Sequence, residues 1–412
     1  MNILSNQYLI QNIALIGGII FFAFIIAVFL TPIVGMIAKR VGAIDLPATL
    51  RKRGERGLDS RIHAYPYPKL GGLAVAGAFF LVLYATGSLI SIPTGVTVGI
   101  LIIIFLGVID DIFEISAPVQ FGLQFLAAFV IVASGISITS INVLNTPISF
   151  DWLPDIIFQI GNFTYNFVFP GDLLTIFWIV GLINVINWVG GVDALNATVS
   201  SIALGTMLIL VLSLGNIPLA LVIAAYLGSV LGVLPFNWHP GKIMYGSVGD
   251  YLNGYFLAIF AIIGGVKWNA TLIVLALPIL DGLYVLYSRW KTHPEMRKNP
   301  VKLMSLSGYN HLHHRILSAG YSKKMVVLIE GTIMFIICTF VLILSGINEE
   351  YLMIPVGLMI LLLLFTIVTF RAKKAEKLNK LRREAQLLEE EITKNVVVNT
   401  VYKEEKEEKF IY

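Results

Sequence analysis

Charge is what this chain has least of. Only 13% of its 412 residues are Asp, Glu, Lys or Arg, while 57% are hydrophobic, and an ordinary soluble domain carries about a quarter charged residues. That balance excludes a soluble globular fold. The mean hydropathy of +0.84 describes instead a protein that crosses a bilayer several times. Cysteine is almost missing as well. Cys338 stands alone, which excludes an intrachain disulfide framework. Residues 1–11 contain neither Lys nor Arg, so the basic start of a cleaved signal peptide is lacking and the first apolar run is expected to remain as a span.

Crossing a hydrocarbon core takes roughly 20 apolar residues. Eleven runs qualify, at 9–30, 70–90, 94–112, 118–135, 171–188, 194–214, 217–234, 249–265, 269–287, 324–345 and 351–371. Basic residues avoid every second loop. Eight lie between Lys39 and Lys69, one at Lys242, eight between Arg289 and Lys324 and eleven between Arg371 and Lys409, leaving only Lys267 of the 29. By the positive-inside rule these loops are cytoplasmic and the N-terminus is outside. The expected fold class is all-α: a polytopic membrane protein of about 11 transmembrane helices, with a transmembrane domain at 1–371 and a cytoplasmic charged tail at 372–412.

Outside the spans, residues 136–169 alternate apolar and polar types, which predicts a short hairpin. In the tail Leu378, Leu381, Ala385, Leu388 and Ile392 follow a 3-4-3-4 spacing that would place one apolar seam on a short helix. A coiled coil and a solvated helix near anionic lipid fit that seam equally. The Lys/Glu mixture beyond Lys403 reads as disorder.

Polar chemistry collects on the face that the basic loops mark as cytoplasmic. Asp110 and Asp111 end the apolar run from Gly99 to Ile109. A carboxylate in hydrocarbon costs a few kcal/mol and adjacent like charges repel, so such a pair needs an interface or a cation; simple helix termination is the plainer reading. Asn184 and Asn187 are three apart and share a helix face, with Asp193 close behind. Asn237 precedes a glycine-rich turn in which Gly246 and Gly249 bracket Ser247. The backbone amides of that turn suit an anion, and Ser247 as a helix N-cap with Asp250 is the alternative. Asp281 and Arg289 lie near the end of the ninth run, where a buried Asp needs a partner. His311-Leu-His313-His314-Arg315 holds three of six histidines and suits a phosphate or diphosphate. Zinc is the competing reading, but the remaining candidates are oxygen ligands, which favour a hard cation such as magnesium. Together these groups suggest phosphoryl transfer to or from a lipid. A secondary transporter is the rival class, although transporters concentrate polar groups near the bilayer midplane rather than at one face.

In order along the chain, Asp45-x-Pro47, His63 with Pro68-Lys-Leu-Gly-Gly72, Asp110-Asp111-x-x-Glu114, Asn184-x-x-Asn187, Asn237 with its glycine-rich turn, and His311-x-His-His-Arg315 resemble the polyprenyl-phosphate N-acetylhexosamine-1-phosphate transferases. This is the glycosyltransferase family 4 type, related to MraY, and the Pro-Lys-Leu-Gly-Gly and His-Leu-His-His segments are closest to its WecA/TagO-like branch. The resemblance spans roughly residues 10 to 370. It implies transfer of a sugar 1-phosphate, GlcNAc 1-phosphate first among candidates, from a UDP-sugar to undecaprenyl phosphate, with release of UMP and Mg2+ (Mn2+ as substitute) as cofactor. It also implies a cell-membrane location and a role in cell wall or polysaccharide biogenesis. The catalytic pair would be Asp110 and Asp111, acting on the lipid phosphate as general base or nucleophile. Asn184, Asn187, Asp193 and Asn237 would shape the nucleotide and sugar site. His311, His313, His314 and Arg315 would bind phosphate, and Asp111, Asn187 and Asp250 the metal. Expected partners are undecaprenyl phosphate, the UDP-sugar and membrane lipid, with a homodimer as an option and nucleic acid excluded.

The chain departs from the family at four places. Members usually read Asp-Gly-x-Asp-Gly where this chain has Gly190-Gly-Val-Asp193-Ala194, and Gly-Asp-x-Gly-Ser where it has Gly246-Ser-Val-Gly-Asp250. Glu114 replaces a third Asp and Gln120 a common lysine. Asp250, three residues beyond Ser247, lies about one helical turn further on, near enough to reach a slightly displaced metal. A catalytically weakened paralogue that binds lipid phosphate or a partner enzyme is therefore the alternative within the family.

Overall fold

The computed structural model describes residues 7–47, 66–143, 146–152, 156–160, 163–264, 268–304, 306, 310–345, 357 and 381. His63, the run at 351–371 apart from Gly357, and nearly all of the tail lie outside them, as does the seam apart from Leu381.

Helices follow in order along the chain: α1 (Gln7–Arg40), α2 (Gly71–Ala85), α3 (Thr94–Phe113), α4 (Ala117–Ala133), α5 (Gly171–Val189), α6 (Leu195–Ser213), α7 (Ile217–Asn237), α8 (Gly246–Ile263), α9 (Trp268–Val274), α10 (Ala276–Thr292), α11 (Pro300–Met304), α12 (Leu312–Ser318) and α13 (Lys323–Ser345), with α11 and α12 in the polar connection between two apolar runs. Among the described residues seven of these, α1, α3, α5, α6, α7, α8 and α13, are long and apolar enough to cross a membrane, while α2 and α4 are shorter apolar helices. The run at 269–287 differs from the single span expected there. It breaks after Val274 and restarts at Ala276 as α10. Pro278 has no N–H to give a continuous helix, but is tolerated in the first turn of a new one.

Short antiparallel pairs complete the fold: β1 (Ile44–Asp45) with β2 (Tyr67–Pro68), β3 (Ser140–Val143) with β4 (Thr146–Ser149), and β5 (Ile156–Ile160) with β6 (Phe163–Phe167). The alternation at 136–169 thus forms two hairpins rather than one. All-α describes the apolar runs and not the connections.

Helix packing follows small residues. On α7, Gly228 and Gly232 are one turn apart, and a Cβ at either would strike a carbonyl oxygen of α1, that of Ile20 or of Phe24. Such spacing lets two backbones approach where no hydrophobic drive separates helix from lipid. Helix α8 is the most enclosed element. It packs on α2, α3, α5 and α6, with Tyr251, Asn253, Tyr255 and Phe256 each at most 1% exposed. Beneath its first turns runs a satisfied polar chain. Tyr226 Oη donates to Asn253 Oδ1 at 2.7 Å, Asn253 Nδ2 to Asn196 Oδ1 at 2.8 Å, and Asn196 Nδ2 to the Ile186 carbonyl at 2.7 Å. These bonds fix α5, α6, α7 and α8 in mutual register. Outward-facing Phe22, Phe29, Phe105, Phe129, Phe177 and Phe335 stay exposed, as a lipid-facing surface requires.

Candidate active site

A cavity of about 680 Å³ opens where α3, α5 and α8 end or begin together. Asp110 and Asp111 leave the last turn of α3, whose C-cap Glu114 adopts a left-handed conformation. Asp111 is buried and accepts the backbone N–H of Ser247 at 2.9 Å and that of Val248 at 3.4 Å. These are among the amides that the first turn of α8 leaves without an intrahelical partner, and a carboxylate at a helix N-terminus is favoured by the dipole. The glycine-rich turn therefore does hold an anion, but the anion is a side chain of the protein itself. Gly246 allows it: φ is +76° and a Cβ would lie 2.5 Å from Asp111 Oδ2. Ser247 is not the N-cap, a position taken by Tyr245.

Among the described residues Asp110 is gripped only by neutral donors. Gln120 Nε2 reaches its Oδ1 at 2.7 Å, and Ser247 Oγ and Tyr251 Oη reach its Oδ2 at 2.7 and 3.1 Å. Gln120, where a lysine is common in the family, thus supplies an amide hydrogen bond without a charge. One turn along α8, Asp250 lines the same cavity, and among the described residues its buried Oδ1 has no hydrogen-bond partner. A Cβ on Gly190 would collide with the Asp250 carboxylate. Two family departures, the missing acid at 190 and the acid gained at 250, therefore fall in one place.

The donor set suits magnesium. Among the described residues no three His, Cys, Asp or Glu side chains are arranged to hold a metal, but Mg2+ is usually held by one or two carboxylates, waters and substrate phosphates. The orphaned Oδ1 of Asp250, the carboxylate of Asp111 and the amide of Asn187, which also lines the cavity, meet that description.

On the α5 side, Asn184 and Asn187 both line the cavity as their spacing predicts. Asn184 spends its Nδ2 on Gln124 Oε1 at 2.6 Å and on the Val180 carbonyl at 2.8 Å. Asp193 is a clasp between loops, accepting from Tyr67 Oη at 2.6 Å and pairing with His239 Nδ1 at 2.8 Å. Burial pulls its carboxyl up, but the His239 and Tyr67 bonds and nearby Lys323 outweigh this and hold it below the usual range. Asn237 lines the wall, with both ends of its amide engaged by backbone: Oδ1 accepts Ala194 N–H at 2.8 Å and Nδ2 donates to the Ile243 carbonyl at 3.0 Å. The groups that Asp193 and Asn237 turn to the protein make them shapers of the site more than direct ligands.

The histidine motif forms the opposite wall. His311, His313 and His314 line the cavity, with the His311 and His313 rings stacked at 5.5 Å and His313 against Gly191. Burial, then the imidazoles of His314 and His311, push His313 well below the usual 6.5. His314 falls to about 4, from burial and His311, despite Asp281. Both rings are therefore neutral near pH 7, hydrogen-bonding groups rather than cations. Arg315 differs from its expected place in the phosphate grip. It is not in the cavity wall but lies over the Tyr284 ring, 4.4 Å from its centroid, with Nη2 3.8 Å from Asp281 Oδ1.

The cations that do line the cavity lie outside the histidine motif. Lys69 Nζ lies 3.3 Å from Glu114 Oε1 and 3.7 Å from Asp45 Oδ1, and Lys323 and Arg289 also line the wall. Lys69 carries a signal, as a lysine set directly before an apolar helix in Pro68-Lys-Leu-Gly-Gly72. Lys323 carries none.

Residues 93–265, which include Asp110, Asp111, the asparagines and α8, match the family described as Glycosyl transferase family 4. Over 321 residues the chain is 32% identical to the probable undecaprenyl-phosphate N-acetylglucosaminyl 1-phosphate transferase of Bacillus subtilis (strain 168), covering 74% of this chain and 78% of that protein. It is 29% identical over 361 residues to the decaprenyl-phosphate N-acetylglucosaminephosphotransferase of Mycobacterium tuberculosis (strain CDC 1551 / Oshkosh), covering 78% and 79%. A phospho-N-acetylmuramoyl-pentapeptide-transferase of Streptococcus equi subsp. zooepidemicus (strain MGCS10565) is 27% identical over 262 residues, covering 60% of this chain and 76% of that one. With its apolar helices, its paired aspartates and this extent of similarity, the chain belongs to glycosyl transferase family 4, among the membrane-bound sugar-phosphate transferases.

Proposed function

We propose that the chain transfers a sugar 1-phosphate, GlcNAc 1-phosphate as first choice, from a UDP-sugar to undecaprenyl phosphate, releasing UMP, as the first membrane step of a cell-envelope glycan. The observation that carries this reading is the convergence of Asp110, Asp111 and the partnerless Asp250 oxygen on one cavity at the end of the apolar helices. The relatives' names support a polyprenyl phosphate acceptor and an N-acetylglucosamine donor. The clustering of basic residues in alternate loops supports a cytoplasmic active-site face of the cell membrane, with the N-terminus outside and the C-terminal tail inside.

In this reaction an oxygen of the lipid phosphate attacks the phosphorus that bears the sugar. The bond from that phosphorus to the bridging oxygen breaks, UMP leaves with the electron pair, and the product is a lipid-linked diphosphate sugar. Asp110, half-buried and facing the cavity, takes any proton left on the lipid phosphate. Asp111, tied to α8, would with Asp250 and Asn187 hold Mg2+, or Mn2+ in its stead. When bound, such an ion would supply positive charge to neutralise the phosphate oxygens. Lys69 and Lys323 add positive charge to the wall, and His311, His313 and His314 offer hydrogen bonds to the donor's phosphates or sugar.

The test is reconstitution in lipid vesicles with labelled UDP-sugars and undecaprenyl phosphate, followed by separation of lipid-linked product. Transport without any lipid-linked product would favour the transporter class. Binding of undecaprenyl phosphate without turnover would favour the weakened paralogue.

A further inference from the structure

We propose that Asp281 is a positioning residue that sets the tautomer of His311 in the cavity wall. The inference rests on the function proposed above for its kinetic readout, but not for its structural one. Asp281 is buried on α10, outside the cavity lining. Its Oδ2 lies 2.9 Å from His311 Nδ1, and its Oδ1 accepts the backbone N–H of Leu312 at 2.8 Å. An ionised carboxylate only accepts hydrogen bonds, so the proton between them belongs to Nδ1. In the neutral ring Nε2 is then the lone-pair nitrogen. It is also the nitrogen left for the cavity, since Nδ1 is turned toward Asp281.

The same carboxylate also anchors the helix that carries the other two histidines. Leu312 is the first residue of α12, whose N-cap His311 makes no side-chain capping bond, and Asp281 supplies the missing acceptor from another helix. A single side chain thus fixes where the motif starts and which His311 nitrogen can accept a proton or hydrogen bond from a substrate. Carboxylate partners of histidine elsewhere in proteins fix tautomers in this manner, and replacing the carboxylate by its amide reverses the ring while preserving shape.

Asp281→Asn separates these roles. The amide oxygen can still accept from Leu312, while its NH2 donates to Nδ1 and moves the ring proton to Nε2. Nitrogen-15 NMR of histidine-labelled full-length protein in detergent, with the His311 signal identified from His311→Gln, is expected to report Nδ1–H in the parent and Nε2–H in Asp281→Asn. In vesicles, kcat for UMP release is expected to fall about 100-fold in Asp281→Asn, with KM for the UDP-sugar within about threefold and most activity restored in Asp281→Glu. In a His311→Gln background the Asp281→Asn change should matter less than about threefold, because the residue acts through His311. An unchanged His311 tautomer, a parental kcat in Asp281→Asn, or an equal loss in the His311→Gln background overturns the proposal. So does an Asp281→Asn protein that cannot be isolated folded, since Asp281 would then be a structural anchor alone. A parent protein that shows the Nδ1–H signal but releases no UMP refutes the proposed function and leaves the tautomer assignment standing.

Discussion

The backbone N–H of Ser247 meets Asp111 Oδ1 at 2.9 Å, joining the end of α3 to the start of α8 across 136 residues of sequence. One of the two carboxylates expected to do chemistry is therefore also the acceptor for the first turn of the most enclosed helix. In the proposed reaction catalysis and folding share this side chain, and substitutions of it separate into two effects.

Asp111→Asn keeps an acceptor for the Ser247 amide and removes the charge, so that a loss of about 1 kcal/mol through the helix dipole is offset by relief of a buried charge. Asp111→Ala leaves two buried N–H groups without an acceptor and costs about 1–3 kcal/mol for each. Thermal unfolding in detergent should place Ala lowest and Asn close to the parent, with transfer abolished in both variants.

Asp250→Asn removes a buried carboxylate whose Oδ1 has no protein partner. Without magnesium the variant should be at least as thermostable as the parent, because an unpaired buried charge is costly. With magnesium the parent should gain stability and the variant should gain little, a difference read directly from midpoints over a magnesium titration. Equal magnesium stabilisation of both proteins would take Asp250 out of the metal site.

Gly190 leaves room for Asp250. Gly190→Asp alone should be poorly folded or inactive, since its side chain collides with the Asp250 carboxylate. Combined with Asp250→Ser, which clears the space, folding should recover. Expression and unfolding midpoints of the single and double variants test this coupling, and strictly additive losses would contradict it.

Acidification should weaken the fold through the histidine wall. His314 is lowered from 6.5 to about 4 and His313 lies well below 6.5, so the unfolded chain binds protons at these sites before the folded one does. Their stability contribution is complete above about pH 6.5 and is lost as pH falls toward 4. The His314 share is on the order of 3 kcal/mol, since the two states differ by about two and a half tenfold steps in proton affinity, each worth about 1.4 kcal/mol. Unfolding midpoints from pH 7.5 to 4.5 should fall less steeply in His314→Gln than in the parent.

How far the sequence reaches is plain from particular residues. Asp110, Asp111, Asn184, Asn187, Asp250 and the three histidines are found on one cavity, because apolar run length and motif order localise helix ends well. The sequence does not disclose that the Gly246–Gly249 turn is already filled by Asp111, or that Asp250 sits against Gly190. Both are contacts between helices distant in sequence, and only packing determines them. Arg315 leaves its expected place for a related reason. Its spacing puts it next to His314, but its guanidinium is drawn to Tyr284 and Asp281, away from the cavity. The break at Leu275 is legible in Pro278, yet apolar content alone conceals it.

The most direct test is a thin-layer assay of the purified, reconstituted chain with labelled UDP-GlcNAc, undecaprenyl phosphate and magnesium, run beside Asp111→Asn. The account predicts a lipid-linked sugar diphosphate formed in step with UMP, and neither product from the variant. Folded parent protein that yields no lipid-linked product with any UDP-sugar, or equal product from Asp111→Asn, would contradict it.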